Sequence, residues 1–500
     1  MRAHFFKAIG ALTLCGLALT PPASNAASAL TGYAIVTTDQ TALRAAPRDS
    51  AAQQAVLWQG DVLEIRGQRM DHFQVYDHRR ERAGYVLASQ VRSTSAQPSE
   101  AAELLSVLRF VRDTPGAEAL GIAYAAAYLK AVPTVALTPE AFDALGTLAD
   151  RLARRASHKQ SAAVSASVAA HLEVAAGYGV VMKSYEQNGS MQVCYDGDAF
   201  QRVLGMAAAS PEQRARAALA LTRPECVNPD LTPRARFEVD QQRAEVLDRM
   251  DITALSETMK NRLRMRRAGV WSALAFAQTR RTEAAPAAAM SAAQRALQEL
   301  AAVNKTELSD DDQTEYSVAA IRTGASRWAA ETLPIAKNGL AVHTVPGSPG
   351  ETCVLLTDAK NGLDRPLLRR CTWGTAWMAS ASISPNGQAL ALAVQPLAGW
   401  RELWVLRRAN EAWTIDVLPP AVGTPTSGDI GYVEFAGWVP GGERMLVARE
   451  ARVDGRIKRS FEVLKVASLV VEKQASTPSL LVLFGKWQDP AWRLQTVSLR

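Results

Sequence analysis

The sequence predicts a multidomain α+β chain in which a small β unit (33-92), an all-α helical array (99-330) and an antiparallel β-rich region (333-500) follow one another. Three observations predict it. A chain of 500 residues exceeds what one hydrophobic core serves, so roughly two to four domains are expected. The apolar period changes from two to 3.6 after the polar linker Thr94-Ser95-Ala96-Gln97-Pro98, and β signals return from about Leu333. With 48% apolar residues the composition is that of a globular chain.

Residues 1-26 read as a secretory signal peptide. Arg2 and Lys7 precede the apolar run Ala8 to Leu19, and Ser24-Asn25-Ala26 offers small residues at the cleavage positions, so the mature chain is expected to start at Ala27. Leu14 before Cys15 argues against a lipid anchor, although an uncleaved run would tether the chain. No later stretch holds the ~20 uninterrupted apolar residues of a membrane span. Export would place the protein in the periplasm. Losing Arg2 and Lys7 takes the formal charge from +7 to +5, a mild balance that an anionic wall or membrane surface would tolerate. Cys194, Cys226, Cys353 and Cys371 remain, an even number with three connectivities. Pairing within each presumed domain joins Cys194 to Cys226 and Cys353 to Cys371, against the alternative of four buried thiols.

Within 33-92, short apolar runs alternate with turn residues: Tyr33 to Val36, Thr41 to Arg44, Val56 to Trp58, Val62 to Ile65, His72 to Tyr76 and Gly84 to Val86. Asp49-Ser50, Gln59-Gly60 and Arg66-Gly67 supply the turns. The pattern is that of a small barrel. Leu43-Arg44-Ala45-Ala46-Pro47, Gln59-Gly60-Asp61-Val62-Leu63 and Gly84-Tyr85-Val86 resemble the motifs of the bacterial SH3-like (SH3b) domains of exported and wall-associated proteins. Ala45-Ala46 stands where that family has a polar-Gly pair, and Phe73 where it commonly has Trp. The resemblance implies an SH3-like β-barrel that binds peptidoglycan or a peptide, with Tyr33, Trp58, Phe73, Tyr76 and Tyr85 as candidate groove residues; all five suit a core equally well.

The middle of the chain announces its helices with caps. Thr138-Pro139-Glu140, Ser210-Pro211-Glu212 and Thr232-Pro233 each place a hydroxyl before a first-turn proline. Phe142, Leu145, Ala149 and Leu152 continue one apolar stripe. Asn188-Gly189 between two β runs predicts a hairpin near 180-195. Lys260, Arg262, Arg264, Arg266 and Arg267 scatter around a helix, which suits a solvated helix and not a nucleic-acid stripe. Ser309 before Asp310-Asp311-Asp312 reads as a helix start, since the spacing of a calcium loop is absent.

In the last third, Asn361-Gly362 between Cys353-Val354-Leu355-Leu356 and Leu367 to Cys371 predicts a hairpin stapled by a disulfide. Ile383-Ser384-Pro385-Asn386-Gly387 and Trp438-Val439-Pro440-Gly441-Gly442 then repeat a strand, a Pro-x-Gly turn and a second apolar strand. These resemble the repeats of TolB-like β-propeller blades; two copies imply a partial propeller or an open sheet stack. Eight of the 11 tryptophans lie in this third, and the expected role of most is core. Trp487 and Trp492, beside Asp489-Pro490 in an expected loop, are the candidates for an exposed sugar-stacking pair.

No motif for a cofactor, a nucleotide phosphate, a zinc protease or a serine nucleophile occurs. His72, His78, His158, His171 and His343 fall on three presumed domains, which does not indicate a metal cluster, and His72 and His78 read as surface residues. Asp196 and Asp198 form the nearest local carboxylate pair, with a helix cap as their expected role. The expectation is therefore a non-enzymatic periplasmic binding or scaffolding protein whose partner is peptidoglycan or an envelope protein. The alternatives are a peptidoglycan-targeted hydrolase and a subunit of an envelope complex.

Overall fold

A computed structural model describes residues 32–187, 189–281, 286–331, 339–410, 412–421 and 429–495. The signal peptide, Asn188 and Leu333 lie outside them. The chain divides into two compact units: residues up to 57 with 62–95, and Trp58–Asp61 with everything from Ala96 onward. The protein mixes helices with several antiparallel sheets.

The first unit is one seven-stranded antiparallel sheet of β1 (Gly32–Val36), β2 (Thr41–Arg44), β3 (Gln53–Leu57), β4 (Val62–Arg69), β5 (His72–Asp77), β6 (Arg82–Leu87) and β7 (Val91–Thr94). The order is β3-β2-β6-β5-β4-β1-β7. Among the described residues the two ends do not pair, so the ladder is open where a closed barrel was expected. The reason is local: β2 meets β6 through the single pair Arg44↔Tyr85, and a bulge at Leu43/Arg44 turns the β2–β3 hairpin aside. Ala34, Leu43, Leu63, Val75 and Val86 fill one face as its core. Gly84 has to be glycine because a Cβ there would stand 2.7 Å from the Leu43 side chain.

In the second unit come α1 (Ala101–Arg112), α2 (Glu118–Ala131), α3 (Pro139–Ser157) and α4 (Ala162–Gly177), then the hairpin β8 (Met182–Gln187) and β9 (Ser190–Tyr195). After it follow α5 (Asp198–Gly205), α6 (Pro211–Leu221), α7 (Pro233–Asp248), α8 (Glu257–Thr279), α9 (Pro286–Ala301) and α10 (Asp310–Ser326). The expected caps form in part. Ser210 and Gln213 make a reciprocal capping box, Thr232 accepts the Ala235 N–H, and Ser309 accepts that of Asp312. Thr138 stands at the N-cap without a side-chain hydrogen bond.

Arginines close several helix C-termini. The last carbonyls of a helix have no partner within it and carry the negative end of the dipole, so a neighbouring guanidinium satisfies both. Arg151 donates to Arg112 O at the end of α1, and Arg243 donates to Thr222 O beyond α6. On α8, Arg264 reaches Ala302 O past α9, Arg266 reaches Leu219 O in α6, and Arg267 reaches Leu247 O in α7. The basic run is thus not the solvated helix its scatter suggested. It scatters because α8 is surrounded, and Arg267 is buried.

The remainder is β-rich. A three-stranded sheet of β10 (Ala341–Pro346), β11 (Thr352–Thr357) and β12 (Leu368–Thr372) precedes an eight-stranded one. The latter consists of two four-stranded meanders: β13 (Thr375–Ile383), β14 (Ala389–Leu397), β15 (Trp400–Ala409) and β16 (Ala412–Leu418), and β17 (Ile430–Trp438), β18 (Arg444–Val453), β19 (Arg456–Lys465) and β20 (Val471–Ala475). The two Pro-x-Gly turns occupy the same place, between the first and second strand of each meander. β15 and β17 join the meanders through two parallel pairs, Trp400↔Gly431 and Arg401↔Tyr432. Two short helices, α11 (Val482–Trp487) and α12 (Pro490–Gln495), close the chain.

Helices and sheet share a core. Val318, Ile321 and Ala325 of α10 pack with Ile430, Tyr432 and Phe461, and Gly324 has no side chain because a Cβ would meet the Tyr432 ring at 2.8 Å. Beside this contact Glu434 accepts from Arg327 at 2.7 and 3.0 Å and from Arg401, all three side chains being almost wholly enclosed. Burial alone would raise the Glu434 carboxyl, but Arg327 and Arg401 outweigh it and hold the group below the usual carboxylate range. A carboxyl lowered by folding stabilises above its unfolded value, about 4.3, and that contribution is lost as the pH falls through the folded one. Glu434→Ala, which leaves two buried cations facing each other, should cost about 3–5 kcal/mol in urea unfolding at pH 7. The deficit should shrink as the pH is lowered below about 4.

Candidate functional site

Alternation along the strands of the first unit sorts the expected groove residues. Phe73 is half-buried and packs on the core with its neighbour Val75 two positions on. Tyr33, Tyr76 and Tyr85 stand on the opposite face. The register aligns Tyr33, Glu64 and Tyr76 directly across β1, β4 and β5, and places Tyr85 on β6 diagonal to Tyr76. Trp58 falls in the turn assigned to the second unit, half-buried, with its ring edge-on to His171 at 6.2 Å. Three of the five candidates therefore share a surface.

Charge organises that surface. A bulge in β4 between Ile65 and Gly67 frees Arg66, whose guanidinium lies 4.0 Å from the Tyr76 ring centre and donates to Glu64 at 3.0 Å. His78 contacts the same Glu64 oxygen at 2.9 Å and meets Tyr76 edge-on at 4.9 Å. The hydrogen bond from Arg66 holds the Glu64 carboxyl below its ordinary range, with His78 adding to it. Glu64 therefore stays ionised at mildly acid pH. His78 is exposed as expected, but His72 is not a surface residue: it is 2% exposed, with Nδ1 2.7 Å from Asp71.

The other candidates part company. Trp492 is buried, packed on Phe484, which in turn meets Phe461; Trp487 is half-buried against the same cluster. The expected loop is the pair α11 and α12, which turn Phe484 and Trp492 inward and leave Val482 and Leu494 exposed. Trp373 is the exposed tryptophan, at 59%. Asp196 accepts the Asp198 N–H at the start of α5, and Asp198 pairs with Arg202 one turn on, so both carboxylates serve the helix start.

Both disulfides join the expected partners. Cys194 of β9 is bonded to Cys226, 32 residues on, which fastens the hairpin to the segment after α6. Cys353 and Cys371 are bonded directly across β11 and β12. Glu351 lies beside this second bridge, whose sulfurs are not thiolates and so do not form a metal site with it. Among the described residues no helix is long and apolar enough to cross a membrane.

Sequence reasoning missed an arginine-lined cavity in the helical part, built from α3, α5, α6, α7, α8 and α10. Only the packing of six helices brings those residues together. The chain matches no family model, no curated protein and no solved structure.

Closing a loop of this length removes chain entropy from the unfolded state, worth about 3–4 kcal/mol. Cys194→Ala with Cys226→Ala should lose about that much in urea unfolding. Alkylation of the denatured, unreduced protein followed by mass spectrometry should modify none of these four cysteines.

Proposed function

We propose that this is an exported, non-catalytic binding protein of the bacterial envelope, periplasmic in location. Its first unit acts as an SH3-like module that recognises peptidoglycan, with an envelope protein as the alternative partner. One observation carries the reading: Tyr33, Tyr76 and Tyr85 share the face opposite the core, with the Glu64, Arg66 and His78 ion cluster set among them. Tyrosine rings offer flat apolar area at low conformational cost, and a shared carboxylate supplies polar contacts, which suits an amide-rich and sugar-bearing ligand. Two disulfides support an oxidising compartment. The paired meanders support a partial propeller-like body in which the repeated Pro-x-Gly turn is the shared unit, and that body carries the module.

The mature protein should pellet with purified sacculi. Tyr33→Ala with Tyr76→Ala should weaken that binding by about tenfold or more, as expected when anchoring aromatics are removed. The reading fails if wild-type protein stays in the supernatant with sacculi and also captures nothing from an envelope extract. A cleared zone in a peptidoglycan gel would replace it with the hydrolase alternative.

A further inference from the structure

The cavity in the helical part has a volume of about 770 Å³, within the range of small-molecule sites. Eight arginines reach its walls. Most are spoken for. Asp143 holds Arg216 through two bonds of 2.9 Å, and Asp312 holds Arg262 at 2.7 Å. At the inner end the balance fails. Asp240 alone serves both Arg236, at 3.0 Å, and Arg243, at 2.6 Å. Arg266 donates to the Leu219 carbonyl at 2.8 Å and among the described residues makes no ion pair within bonding distance; Glu225, which attracts it, is bonded to Arg223. Among the described residues Arg322 makes no hydrogen bond or ion pair, and its Nε is buried with nothing to receive it.

Four guanidiniums, of Arg236, Arg243, Arg266 and Arg322, thus share the carboxylates of Asp240, of Glu225, already bonded to Arg223, and of the exposed Glu315. Burial pushes the Arg322 and Arg266 guanidiniums down to about 10; Arg452, and then Arg236 and Arg243, repel Arg322 further, and both groups remain charged at neutral pH. A partly buried cation without a bonded counterion is costly, and an arriving oxyanion relieves it with the two-pronged geometry that guanidinium offers to phosphate and carboxylate alike. Phe200, Met265, Val270 and Val318 supply apolar wall for the rest of a molecule. Asp311 and Glu315 are exposed on the cavity wall, Glu315 close enough to attract Arg266, which disfavours a polyanion.

We propose that this cavity binds a compact organic anion whose single phosphate or carboxylate head seats against Arg322 and Arg266, with its apolar body along Phe200, Met265 and Val318. The site is independent of the tyrosine face. Calorimetric titration of the full chain with phenyl phosphate and with phenylacetate tests it, with inorganic phosphate and benzyl alcohol as controls. Saturable binding of at least one aromatic anion is expected, and the tighter of the two identifies the head group. Arg322→Met should weaken it about tenfold or more, with the melting temperature of the ligand-free protein unchanged or raised, because the substitution removes an uncompensated charge. Arg266→Met should weaken binding similarly. No saturable binding of either anion, equal binding of benzyl alcohol, or inorganic phosphate binding as tightly as phenyl phosphate overturns the proposal. So does an Arg322→Met protein that binds like the wild type.

Discussion

The joint between α10 and the large sheet depends on one carboxylate, that of Glu434, held between Arg327 and Arg401. Its position explains its use. The two meanders meet through only two parallel pairs, one of which contains Arg401, so the backbone ladder is thinnest where the sheet changes from one repeat to the next. Arg401 also donates to Gly324 O at 2.8 Å, which ties the end of α10 to the seam. A second polar link runs in parallel: Gln395, fully enclosed, donates to Ser326 and accepts from Trp377. Apolar residues would hold the same surfaces at lower desolvation cost. They would not fix which residue of α10 lies over which strand, and directional bonds do.

Charge handling elsewhere follows the same economy. Arginines that cap the carbonyl ends of neighbouring helices let the helical array dispense with glycine-based terminations at those ends. Each such bond also records which helices are neighbours. Arg264, Arg266 and Arg267 occupy almost consecutive positions on α8 and reach three different helices. A helical-wheel reading of α8 alone has no access to this, because the wheel treats everything outside the apolar stripe as solvent.

What was legible in the sequence was what is local. Asn-Gly and Pro-x-Gly turns, hydroxyl caps before proline and the change of period near residue 99 depend on a few adjacent residues, and the elements they predict are present. Cysteine pairing was legible because each pair lies within one local region. Depth was harder. On α3 the predicted apolar stripe is buried at Ala149 and Leu152 but only half-buried at Phe142 and Leu145, while Ala141, Ala144 and Leu148 beside it are enclosed. That helix is packed on more than one side, and close approach at Gly121 and Gly146 by Leu148 and Phe200 selects small residues over large ones. Trp492 and His72 failed for the same reason: burial is set by what arrives from elsewhere in the chain. The tyrosine face was half legible, since alternation names the residues of a face but not which face is filled.

The contrast with the buried arginines gives Arg322, a partly buried side chain whose Nε is enclosed, its weight. Arg327 and Arg401 share a carboxylate, Arg243 has Asp240 and two bonds to the Thr222 carbonyl, and Arg267 has two helix-end carbonyls. The fold supplies acceptors to deep guanidiniums as a rule, at the cost of placing carboxylates and carbonyls with care. Arg322 lies on α10, which ends at Ser326 just before Arg327, and among the described residues it receives nothing. A methionine or leucine there would pack against Gly269 and the cavity wall without any charge to desolvate. The retained charge is accounted for if its partner is a molecule that enters the cavity and not a residue of the chain.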